Sequence, residues 1–275
     1  MNQRRLLKFL LPVVVILGLL LAGGLQWRIH HHKDADLRIL LQDHPVKHLG
    51  IIMDGNRRWA TRRDFKPWIG HRHGLENLRM TVKFCRTYNI PYLTVYAFSL
   101  ENFKRSDEEL NFLFKDVLEE VALKDADELA QKGVRVQFIG DRAQFPASTL
   151  KMIDSIEQKT AHNSDLMLNI LFCYGGQQEI VAAATQLCRE VVANGTPVDS
   201  ITAEMFEKHL WTSNLPPLDL VIRTGFVCRL SNFLLYKVAY SELYFADCYW
   251  PDMTEERLAQ IVQDFVTAQH RLFGA

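Results

Sequence analysis

The sequence contains no cysteine pair at the spacing of a zinc site or a redox motif. Its 275 residues include five cysteines, which are scattered and form no C-x-x-C pair: Cys85, Cys173, Cys188, Cys228 and Cys248. An odd number of cysteines at irregular spacing is typical of free thiols in a reducing compartment. We therefore expect neither a disulfide framework nor a structural zinc site.

The sequence also lacks an excess of charge of either sign. Lysine plus arginine number 32, and aspartate plus glutamate also number 32. Nucleic-acid-binding proteins generally carry a net basic surface, so no nucleic-acid partner is expected. Two phosphate-binding patterns are missing as well, the G-x-x-x-x-G-K-[ST] loop and a G-x-G-x-x-G after a predicted strand. Their absence disfavours the usual nucleotide-binding enzymes.

One long uncharged run stands near the N-terminus. Residues 9–25 are 17 residues without a charge, at the short end of the roughly 17 to 25 needed to cross a bilayer. A cleaved signal peptide is the alternative, but the A-x-A pattern of a cleavage site is missing. We predict an N-terminal transmembrane helix, with residues 1–34 as membrane anchor and juxtamembrane segment and residues 35–275 as one folded domain.

Short apolar runs alternate with longer helical patterns along the rest of the chain. The candidate strands cover residues 49–53, 93–98, 134–139, 166–172, 218–222 and 243–245. The candidate helices cover residues 74–88, 106–132, 146–162, 178–192, 203–210 and 254–273. This alternation predicts an α/β fold with a central, mainly parallel six-stranded sheet flanked by helices. Ligands of such sheets bind at the carboxyl ends of the strands.

Arginines and small hydrogen-bonding residues follow three of the predicted strands. The three segments are 54–58 (DGNRR), 99–105 (SLENFKR) and 223–231 (RTGFVCRLS). Guanidinium groups bind phosphate oxygens through paired hydrogen bonds, and a carboxylate fits among them if magnesium bridges it to the phosphates. Arginines at a single strand end often form only surface ion pairs. Three such segments at one edge of a sheet predict a ligand with more than one phosphate group.

The predicted helix over 106–132 is rich in large apolar side chains, and so is the strand over 166–172. Core packing accounts for most of this pattern. A diphosphate site beside an apolar cleft and a membrane anchor, however, indicates an isoprenoid substrate.

Several long motifs occur in a fixed order along the chain. They are HLGIIMDGNRRWA at 48–60, GHRHG at 70–74, YAFSLENFKRS at 96–106, LNILFCYGG at 168–176, DLVIRTG at 219–225, RLSNFLLYKVAYSELYF at 229–245 and WPD at 250–252. Together they resemble the cis-prenyltransferase family, undecaprenyl diphosphate synthases in particular, from about residue 45 to residue 274. The order of so many motifs makes the resemblance specific.

The resemblance implies an enzyme that condenses isopentenyl diphosphate repeatedly onto an allylic diphosphate, usually farnesyl diphosphate, with a cis double bond made at each step. It also implies Mg2+ as cofactor, a homodimer, and an apolar tunnel for the growing chain. Because the substrates are cytosolic and the product is a membrane lipid, we expect the catalytic domain, 35–275, on the cytoplasmic side of the membrane.

The resemblance also assigns roles position by position. Asp54 is implied as a catalytic and metal-binding carboxylate, Glu242 as a second metal ligand and Asn102 as a catalytic residue in proton transfer. The residues implied to bind the two substrates are Gly55, Asn56, Arg57, Arg58, Trp59, His71, Ser99, Glu101, Phe103, Arg105, Arg223, Arg229 and Ser231. Trp59 would line the entrance, and the last three would bind isopentenyl diphosphate. An amide is a weak base, so we expect Asn102 to orient the path of the proton toward the diphosphate.

The chain departs from the family pattern around this site. Where the family has RTGGExR, Phe226, Val227 and Cys228 replace a glycine, a glutamate and, often, a histidine. Pro67 stands at the position of a family arginine, and Arg57 at that of a glycine. These changes raise an alternative, a non-catalytic or weakly active membrane-anchored partner subunit of a cis-prenyltransferase complex. The predicted catalytic residues are nevertheless present, and they favour catalysis because a scaffold does not need them. A phosphatase or phosphate-binding domain would not explain the ordered motifs.

Product length is predicted from three positions. Ala97 is small and leaves room at the tunnel mouth, and Leu166 matches the pattern of long-chain members. Phe172 is bulky, and it is the candidate floor of the tunnel. We expect a polyprenyl diphosphate of medium to long chain.

Overall fold

The computed structural model describes residues 36–273. The predicted transmembrane helix over 9–25 and the boundary between residues 34 and 35 lie outside these residues. Between residues 36 and 273, no helix is both long enough and apolar enough to cross a membrane.

The six predicted strands form one sheet. They are β1 (His48–Ile52), β2 (Tyr92–Ser99), β3 (Val134–Ile139), β4 (Leu166–Tyr174), β5 (Leu220–Arg223) and β6 (Glu242–Phe245). Their spatial order is β3-β4-β2-β1-β5-β6, and every neighbouring pair is parallel. The predicted α/β fold with a parallel six-stranded sheet is confirmed. All six carboxyl ends therefore lie at the same edge.

Helices flank the sheet. They are α1 (residues 36–43), α2 (Asn56–Thr61), α3 (Ile69–Thr87), α4 (Asp107–Asn111), α5 (Leu118–Glu120), α6 (Ala126–Gln131), α7 (Ala147–Thr160), α8 (Gly176–Asn194), α9 (Ala203–Glu207) and α10 (Glu255–Phe273). Two π-helical segments, Phe112–Val117 and Val121–Asp125, join α4, α5 and α6 into one helical segment over 107–131. The predicted helix over 106–132 is therefore confirmed, with two widened turns of a kind that often marks functional sites.

Both faces of the sheet are buried. Leu168 and Ile170 of β4 pack in the larger apolar cluster, together with residues of α3, α7 and α10. Leu171, the residue after Ile170, packs in the smaller cluster on the other face. Successive side chains of a strand point to opposite faces, so a strand buried on both faces appears in the sequence as a continuous apolar run. Polar side chains are left to converge at the strand ends.

A row of polar side chains crosses the interior of the sheet. His48, Thr94 and Asn169 belong to β1, β2 and β4 and are 0% exposed. His48 Nε2 lies 2.7 Å from Thr94 Oγ1, and His48 Nδ1 lies 2.9 Å from the carbonyl oxygen of Pro216. Asn169 Nδ2 donates to the same threonine oxygen at 3.1 Å. Burial lowers the pKa of His48 to about 4, so its ring is neutral at pH 7.

Candidate active site

A polar cavity of about 620 Å³ opens at the carboxyl end of β1. It is lined by residues that the sequence predicts, namely Asp54, Gly55, Asn56, Arg57, Arg58, His71 and Arg105. It is also lined by residues that the sequence does not single out as ligands, namely Met53, Thr61, Arg62, Pro67 and Tyr249. The cavity falls within the usual size range of small-molecule sites. The structure thus brings the first two predicted segments together.

The carboxylate of Asp54 accepts hydrogen bonds from two arginines. Arg223 Nη2 donates to Oδ2 at 2.8 Å, and Arg58 Nη2 donates to Oδ1 at 3.1 Å. The Asp54 carbonyl oxygen accepts from the Trp250 amide at 3.0 Å and from the Thr224 hydroxyl at 2.7 Å. The backbone of Asp54 is therefore fixed while its side chain stays 30% exposed. The hydrogen bond from Arg223 to Asp54 also brings the predicted segment over 223–231 into contact with the segment over 54–58.

Two glycines allow the side chains around the Asp54 carboxylate to pack closely. Gly55 has φ 105° and Gly225 has φ 95°, in the left-handed region that side chains disfavour. A Cβ on Gly225 would lie 2.7 Å from Arg58 Nη2 and 3.0 Å from Asp54 Cγ. A Cβ on Gly55 would lie 2.5 Å from Tyr249 Cδ1. A larger residue at either position would displace the side chains around the carboxylate.

The short helix α2 carries Arg57 and Arg58 to the cavity. Its first residue, Asn56, closes the turn after β1, because Asn56 Nδ2 donates to the Met53 carbonyl oxygen at 3.2 Å. The start of α3 packs directly on it: a Cβ on Gly70 would lie 1.9 Å from the Asn56 carbonyl oxygen. This backbone contact holds α2 at the end of β1.

A buried carboxylate, Glu109 of α4, organises the opposite wall. Its Oε1 accepts from Arg105 Nη1 at 2.9 Å and lies 3.2 Å from His71 Nε2, and its Oε2 lies 3.4 Å from Arg57 Nε. Burial raises the pKa of Glu109, but the hydrogen bond from His71 and the charges of Arg105 and Arg57 lower it to below its usual value. Burial lowers the pKa of His71. His71 is therefore a neutral donor to an ionised Glu109 at pH 7.

Glu109 is a site residue that the sequence analysis misses. In the sequence it belongs to an S-x-x-E capping pattern, and the structure does show Ser106 Oγ accepting from the Glu109 amide, at 3.4 Å. Its contacts with Arg57, Arg105 and His71 arise only where α2, α3, α4 and the loop after β2 meet. Nothing in the sequence pattern indicates those contacts.

The loop after β2 is a 3₁₀ turn over Leu100–Lys104. Asn102 Oδ1 accepts from the Ser99 amide at 3.0 Å, so the predicted catalytic amide caps this turn. Glu101 Oε1 accepts from Asn232 Nδ2 at 3.0 Å. Phe103 packs edge-on against Phe98, with ring centroids 5.1 Å apart. Ser99, Glu101, Asn102 and Phe103 lie beside the polar cavity without lining it.

Arg223 forms the second cationic centre. It is only 4% exposed, and its Nη1 donates to the carbonyl oxygen of Arg229 and to Ser231 Oγ, the latter at 2.7 Å. Arg229 Nε donates to the same hydroxyl at 3.2 Å. The three residues predicted to bind isopentenyl diphosphate are therefore in contact with one another. They lie next to Asp54, outside the lining of the first cavity.

Asn232 is a second residue that the sequence analysis misses. Its carbonyl oxygen accepts from the Gly176 amide and its Oδ1 from the Gln177 amide, both at 2.8 Å, at the start of α8. Its Nδ2 donates to Glu101 Oε1 and to Gln178 Oε1, both at 3.0 Å. Asn232 thus connects the segments that follow β2, β4 and β5. Its only signal in the sequence is its position directly after Ser231.

Two predicted site residues lie away from the cavity. Trp59 is 8% exposed, packs in a small cluster with Ala60 and Tyr249, and donates its indole N–H to Asp252 Oδ1 at 2.6 Å. The expectation that Trp59 lines the entrance is therefore wrong for this cavity, which it does not line. A helix only six residues long directs Trp59 inward because Arg57 and Arg58 take the outward positions.

Glu242 also requires a correction. It is the first residue of β6, three residues before Phe245, which pairs with Arg223. Arg223 in turn pairs with Ile52, two residues before Asp54. At about 3.3 Å per residue, Asp54 and Glu242 are separated by roughly 16 Å along the strands. The two predicted metal ligands are therefore not brought together within one chain.

The donor set at Asp54 suits a bridging magnesium ion. Among the described residues, no group of three or more His, Cys, Asp or Glu is placed to hold a metal ion. Of the described residues that line the polar cavity, Asp54 is the only one with a carboxylate. Mg2+ is commonly held by one or two carboxylates, with phosphate oxygens and water completing its shell. One half-exposed carboxylate surrounded by arginines fits that mode of binding.

A second, apolar cavity of about 340 Å³ lies between α3 and the segment over 107–131. Leu75, Leu78 and Val82 of α3 line one side, and Val121 and Leu129 line the other. α3 also contributes His71 to the polar cavity, so one helix borders both. This is the apolar cleft that the sequence predicts.

A cluster of ion pairs connects the two sides of the apolar cavity, α3 and the segment over 107–131. Arg79 of α3 donates to both oxygens of Asp125, at 2.9 and 2.8 Å, and to Glu120 at 3.2 Å. Asp125 belongs to the second π-helical segment. The widened turn thus supplies the carboxylate that fixes the spacing of the two helices.

Phe172 is not the floor of this cavity. Leu168 and Ile170 of β4 line it, whereas Phe172, on the same face and nearer the carboxyl edge, does not. Phe172 lies among the rings of Phe98, Phe114, Phe138 and Phe145. The far end of the cavity lies instead toward Arg86 and Lys132, at the amino edge of the sheet.

Known proteins share this architecture, and their sequences match this chain over most of its length. A family model described as undecaprenyl diphosphate synthase matches residues 52–274. An isoprenyl transferase of Clostridium perfringens is 40% identical over 243 residues, which cover 88% of this chain and 96% of that protein.

Two further relatives are named for their allylic substrates. A tritrans,polycis-undecaprenyl-diphosphate synthase (geranylgeranyl-diphosphate specific) of Pyrococcus horikoshii is 40% identical, covering 83% of this chain and 86% of that protein. A ditrans,polycis-undecaprenyl-diphosphate synthase ((2E,6E)-farnesyl-diphosphate specific) of Xylella fastidiosa is 39% identical, covering 83% of this chain and 89% of that protein.

The crystal structure of lavandulyl diphosphate synthase from Lavandula x intermedia, in complex with dimethylallyl diphosphate, superposes with a TM-score of 0.77. That pair is 31% identical, with 80% of this chain and 95% of the other covered.

Proposed function

This chain belongs to the undecaprenyl diphosphate synthase family of cis-prenyltransferases, and from that premise we propose that it condenses isopentenyl diphosphate repeatedly onto farnesyl diphosphate to give a cis-polyprenyl diphosphate. The observation that carries the proposal is the polar cavity at the end of β1, where Asp54 is surrounded by Arg57, Arg58 and Arg105. A cavity with this charge is suited to a diphosphate. The neighbouring apolar cavity is suited to its hydrocarbon chain.

The arginines act on the leaving group. Ionisation of an allylic diphosphate places new negative charge on the departing diphosphate oxygens. Preorganised donors stabilise that charge more in the transition state than in the ground state, which lowers the barrier. Arg58 donates to this group, and Arg105 and neutral His71, both held by Glu109, complete the wall. The main-chain shape at Gly55 and Asn56 lets the diphosphate approach.

Asp54 is the proposed ligand of magnesium, which when bound would add positive charge next to the departing diphosphate. In the structure, this carboxylate accepts hydrogen bonds from Arg58 and Arg223. Each of those arginines belongs to a different substrate site, so Asp54 stands between the two diphosphates. We do not extend the metal proposal to Glu242 of the same chain, because β6 holds it at the other edge of the sheet.

Isopentenyl diphosphate is proposed to bind at Arg223, Arg229 and Ser231. The Arg223 guanidinium is buried and already oriented by Ser231 and Asp54, so little conformational entropy is lost when it binds phosphate. Asn102 remains the proposed residue that orients the path of the departing proton. It does so through the shape of the turn that it caps, which presents Ser99 and Glu101 toward the second substrate.

We also propose a membrane anchor at residues 9–25 and a homodimer. Support for the anchor is the apolar run itself. Support for the dimer is the exposed apolar surface on and near the edge strand β6, where Tyr240, Leu243 and Tyr244 are 98%, 43% and 37% exposed. Large exposed apolar side chains grouped at a sheet edge are typical of an interface.

The test is chain elongation by the purified full-length protein in detergent. Farnesyl diphosphate, radiolabelled isopentenyl diphosphate and Mg2+ are supplied, and product length is read by chromatography. Asp54→Ala should lower the rate by at least about 100-fold, as expected for loss of a central transition-state contact. Asp43→Ala, which alters an exposed carboxylate on α1, is the matched control and should leave the rate unchanged.

The alternative of a non-catalytic partner subunit makes a different prediction. Wild-type protein would then bind neither substrate productively and give no labelled product, and elongation would appear only with an active homologue present. That result would overturn the proposed activity. Elongation by wild type that survives Asp54→Ala would overturn the assigned site.

A further inference from the structure

Arg62 is a cavity residue to which neither the motifs nor the family resemblance assigns a role. It is the residue that follows α2, and it lines the polar cavity together with Arg57, Arg58 and Arg105. Its guanidinium carbon lies 5.1 Å from the centroid of the Tyr249 ring. The guanidinium carbon of Arg58 lies 5.5 Å from the same centroid. One aromatic ring thus holds two of the four cationic side chains.

The other three arginines of the cavity each have a carboxylate partner. Arg58 pairs with Asp54, and Arg57 and Arg105 pair with Glu109. For Arg62, no carboxylate among residues 36–273 lies within 4.0 Å. A cation that lines a cavity without an anionic partner of its own has its donors available for a ligand anion.

The ring beneath Arg62 is firmly positioned. Tyr249 is 5% exposed, and its ring is the surface against which Gly55 packs. Phe226 lies edge-on to it, with ring centroids 5.1 Å apart. A guanidinium group is attracted electrostatically to the face of an aromatic ring. Tyr249 therefore limits the positions that the Arg62 guanidinium adopts beside the cavity.

Pro67 lies in the same cavity wall, and it has no side-chain donor. The family motif has an arginine at that position. This chain therefore lacks one cation at Pro67 and has another, Arg62, elsewhere around the same cavity.

We propose that Arg62, positioned by the Tyr249 ring, is a ligand of the allylic diphosphate and replaces the cation missing at Pro67. The inference rests on the proposed function, because it assigns a further ligand to the same site. Arg62 binds the diphosphate oxygens farther from Arg223, so its contribution is to the allylic substrate and not to isopentenyl diphosphate.

The first experiment compares Arg62→Gln with wild type. A charge-assisted hydrogen bond contributes about 1.5–3 kcal/mol, so KM for farnesyl diphosphate should rise about tenfold to hundredfold. KM for isopentenyl diphosphate should stay within about twofold. Lys66→Gln is the matched control, since Lys66 also lies over an aromatic ring, that of Trp68, but does not line the cavity. Its kinetics should equal those of wild type.

A binding measurement separates this inference from the proposed function. Farnesyl thiolodiphosphate, which does not ionise readily, is titrated calorimetrically into wild type and Arg62→Gln. Wild-type binding with equal affinity in the variant would overturn the role of Arg62 and leave the function intact. Absence of binding and of elongation in wild type would instead overturn the proposed function itself.

Two further variants test the positioning and the replacement. Tyr249→Leu removes the ring and should raise KM for farnesyl diphosphate in the same direction as Arg62→Gln, whereas Tyr249→Phe keeps the ring and should not. Adding Pro67→Arg to Arg62→Gln should recover most of the lost affinity. If it recovers none, Arg62 does not replace the cation missing at Pro67.

Discussion

Asn232 shows how one side chain coordinates several strand ends. It adopts φ 68°, a left-handed conformation that asparagine tolerates better than most residues. In that conformation its carbonyl oxygen and its side chain reach the start of α8 and the loop after β2 at once. Ser231, its neighbour, touches Arg223. The proposed site for isopentenyl diphosphate is therefore connected to Glu101 through Ser231 and Asn232.

We predict that Asn232→Asp changes KM for one of the two substrates and not for the other. The aspartate keeps an acceptor for the Gln177 amide, but it replaces the donor to Glu101 with a second carboxylate. Repulsion between the carboxylates displaces the loop after β2 and the adjoining Ser231. KM for isopentenyl diphosphate should rise about tenfold, as for the loss of one hydrogen bond to a charged group. KM for farnesyl diphosphate should change little.

Steady-state kinetics with each substrate varied in turn measures the two KM values. Thermal unfolding shows whether the variant is as stably folded as wild type. Gln178→Ala, which removes only the neutral partner of Asn232, is the control and should have a small effect on both KM values. An equal rise in both KM values for Asn232→Asp would contradict a role confined to the second substrate.

At the scale of elements, the segment over 107–131 is the part of the fold that relates most directly to product length. Its π-helical turns place Val121 and Asp125 on the side facing α3, where Val121 lines the apolar cavity and Asp125 binds Arg79. A bulkier side chain at Val121 would fill part of the cavity that we propose for the product chain. The position lies between the polar cavity and the far end near Lys132.

We predict that Val121→Phe shortens the product. The larger ring occupies part of a cavity of about 340 Å³, so elongation should stop several isoprene units earlier. Chromatography of the dephosphorylated products measures the shift. Val181→Phe, the same substitution at a 66% exposed residue of α8, is the control and should leave the length unchanged. An unchanged product from Val121→Phe would exclude this cavity as the chain-binding site.

Phe172→Ala should act differently from Val121→Phe. Phe172 is 5% exposed and lies within a cluster of aromatic rings, so its truncation should cost about 3–5 kcal/mol of unfolding free energy. It does not line the apolar cavity. The product should therefore keep its length, contrary to the expectation that Phe172 forms the floor.

At the scale of the whole molecule, the buried row from His48 to Asn169 makes stability depend on pH. Burial lowers the pKa of His48 from 6.5 to about 4. Between these two values the unfolded chain binds a proton at this residue and the folded chain does not. The free energy of unfolding contributed by His48 is therefore fully present above pH 6.5 and decreases as the pH falls toward 4.

We predict a loss of about 3 kcal/mol of unfolding free energy from this residue over that pH range. Urea unfolding at pH 7 and at pH 4.5 measures it. His48→Gln should be less stable than wild type at pH 7, but it should lose less stability on acidification. A parallel decrease in both proteins would assign the acid sensitivity to other groups, such as His71, whose pKa burial also lowers.

Much of the fold was open to prediction from the sequence, for a physical reason. A strand buried on both faces must be apolar throughout, so β1, β4 and β5 stand out as runs, and each predicted strand lies within two residues of its observed bounds. A six-residue helix has too few residues to display a periodicity, and α2 was therefore not predicted. A π-helical turn arises from packing between helices, which has no local signal.

The sequence by itself determined the parallel α/β fold and the arginine-rich character of three strand ends, because residue type and strand polarity are enough for both. Only the tertiary structure decided which of those residues meet. It brought Asp54 to Arg223 and held Glu109 against two arginines and His71. It turned Trp59 inward and left Glu242 at the opposite edge. Such contacts depend on strand register and helix packing, which join residues as far apart in the sequence as Trp59 and Asp252, 193 positions, and no local pattern records them.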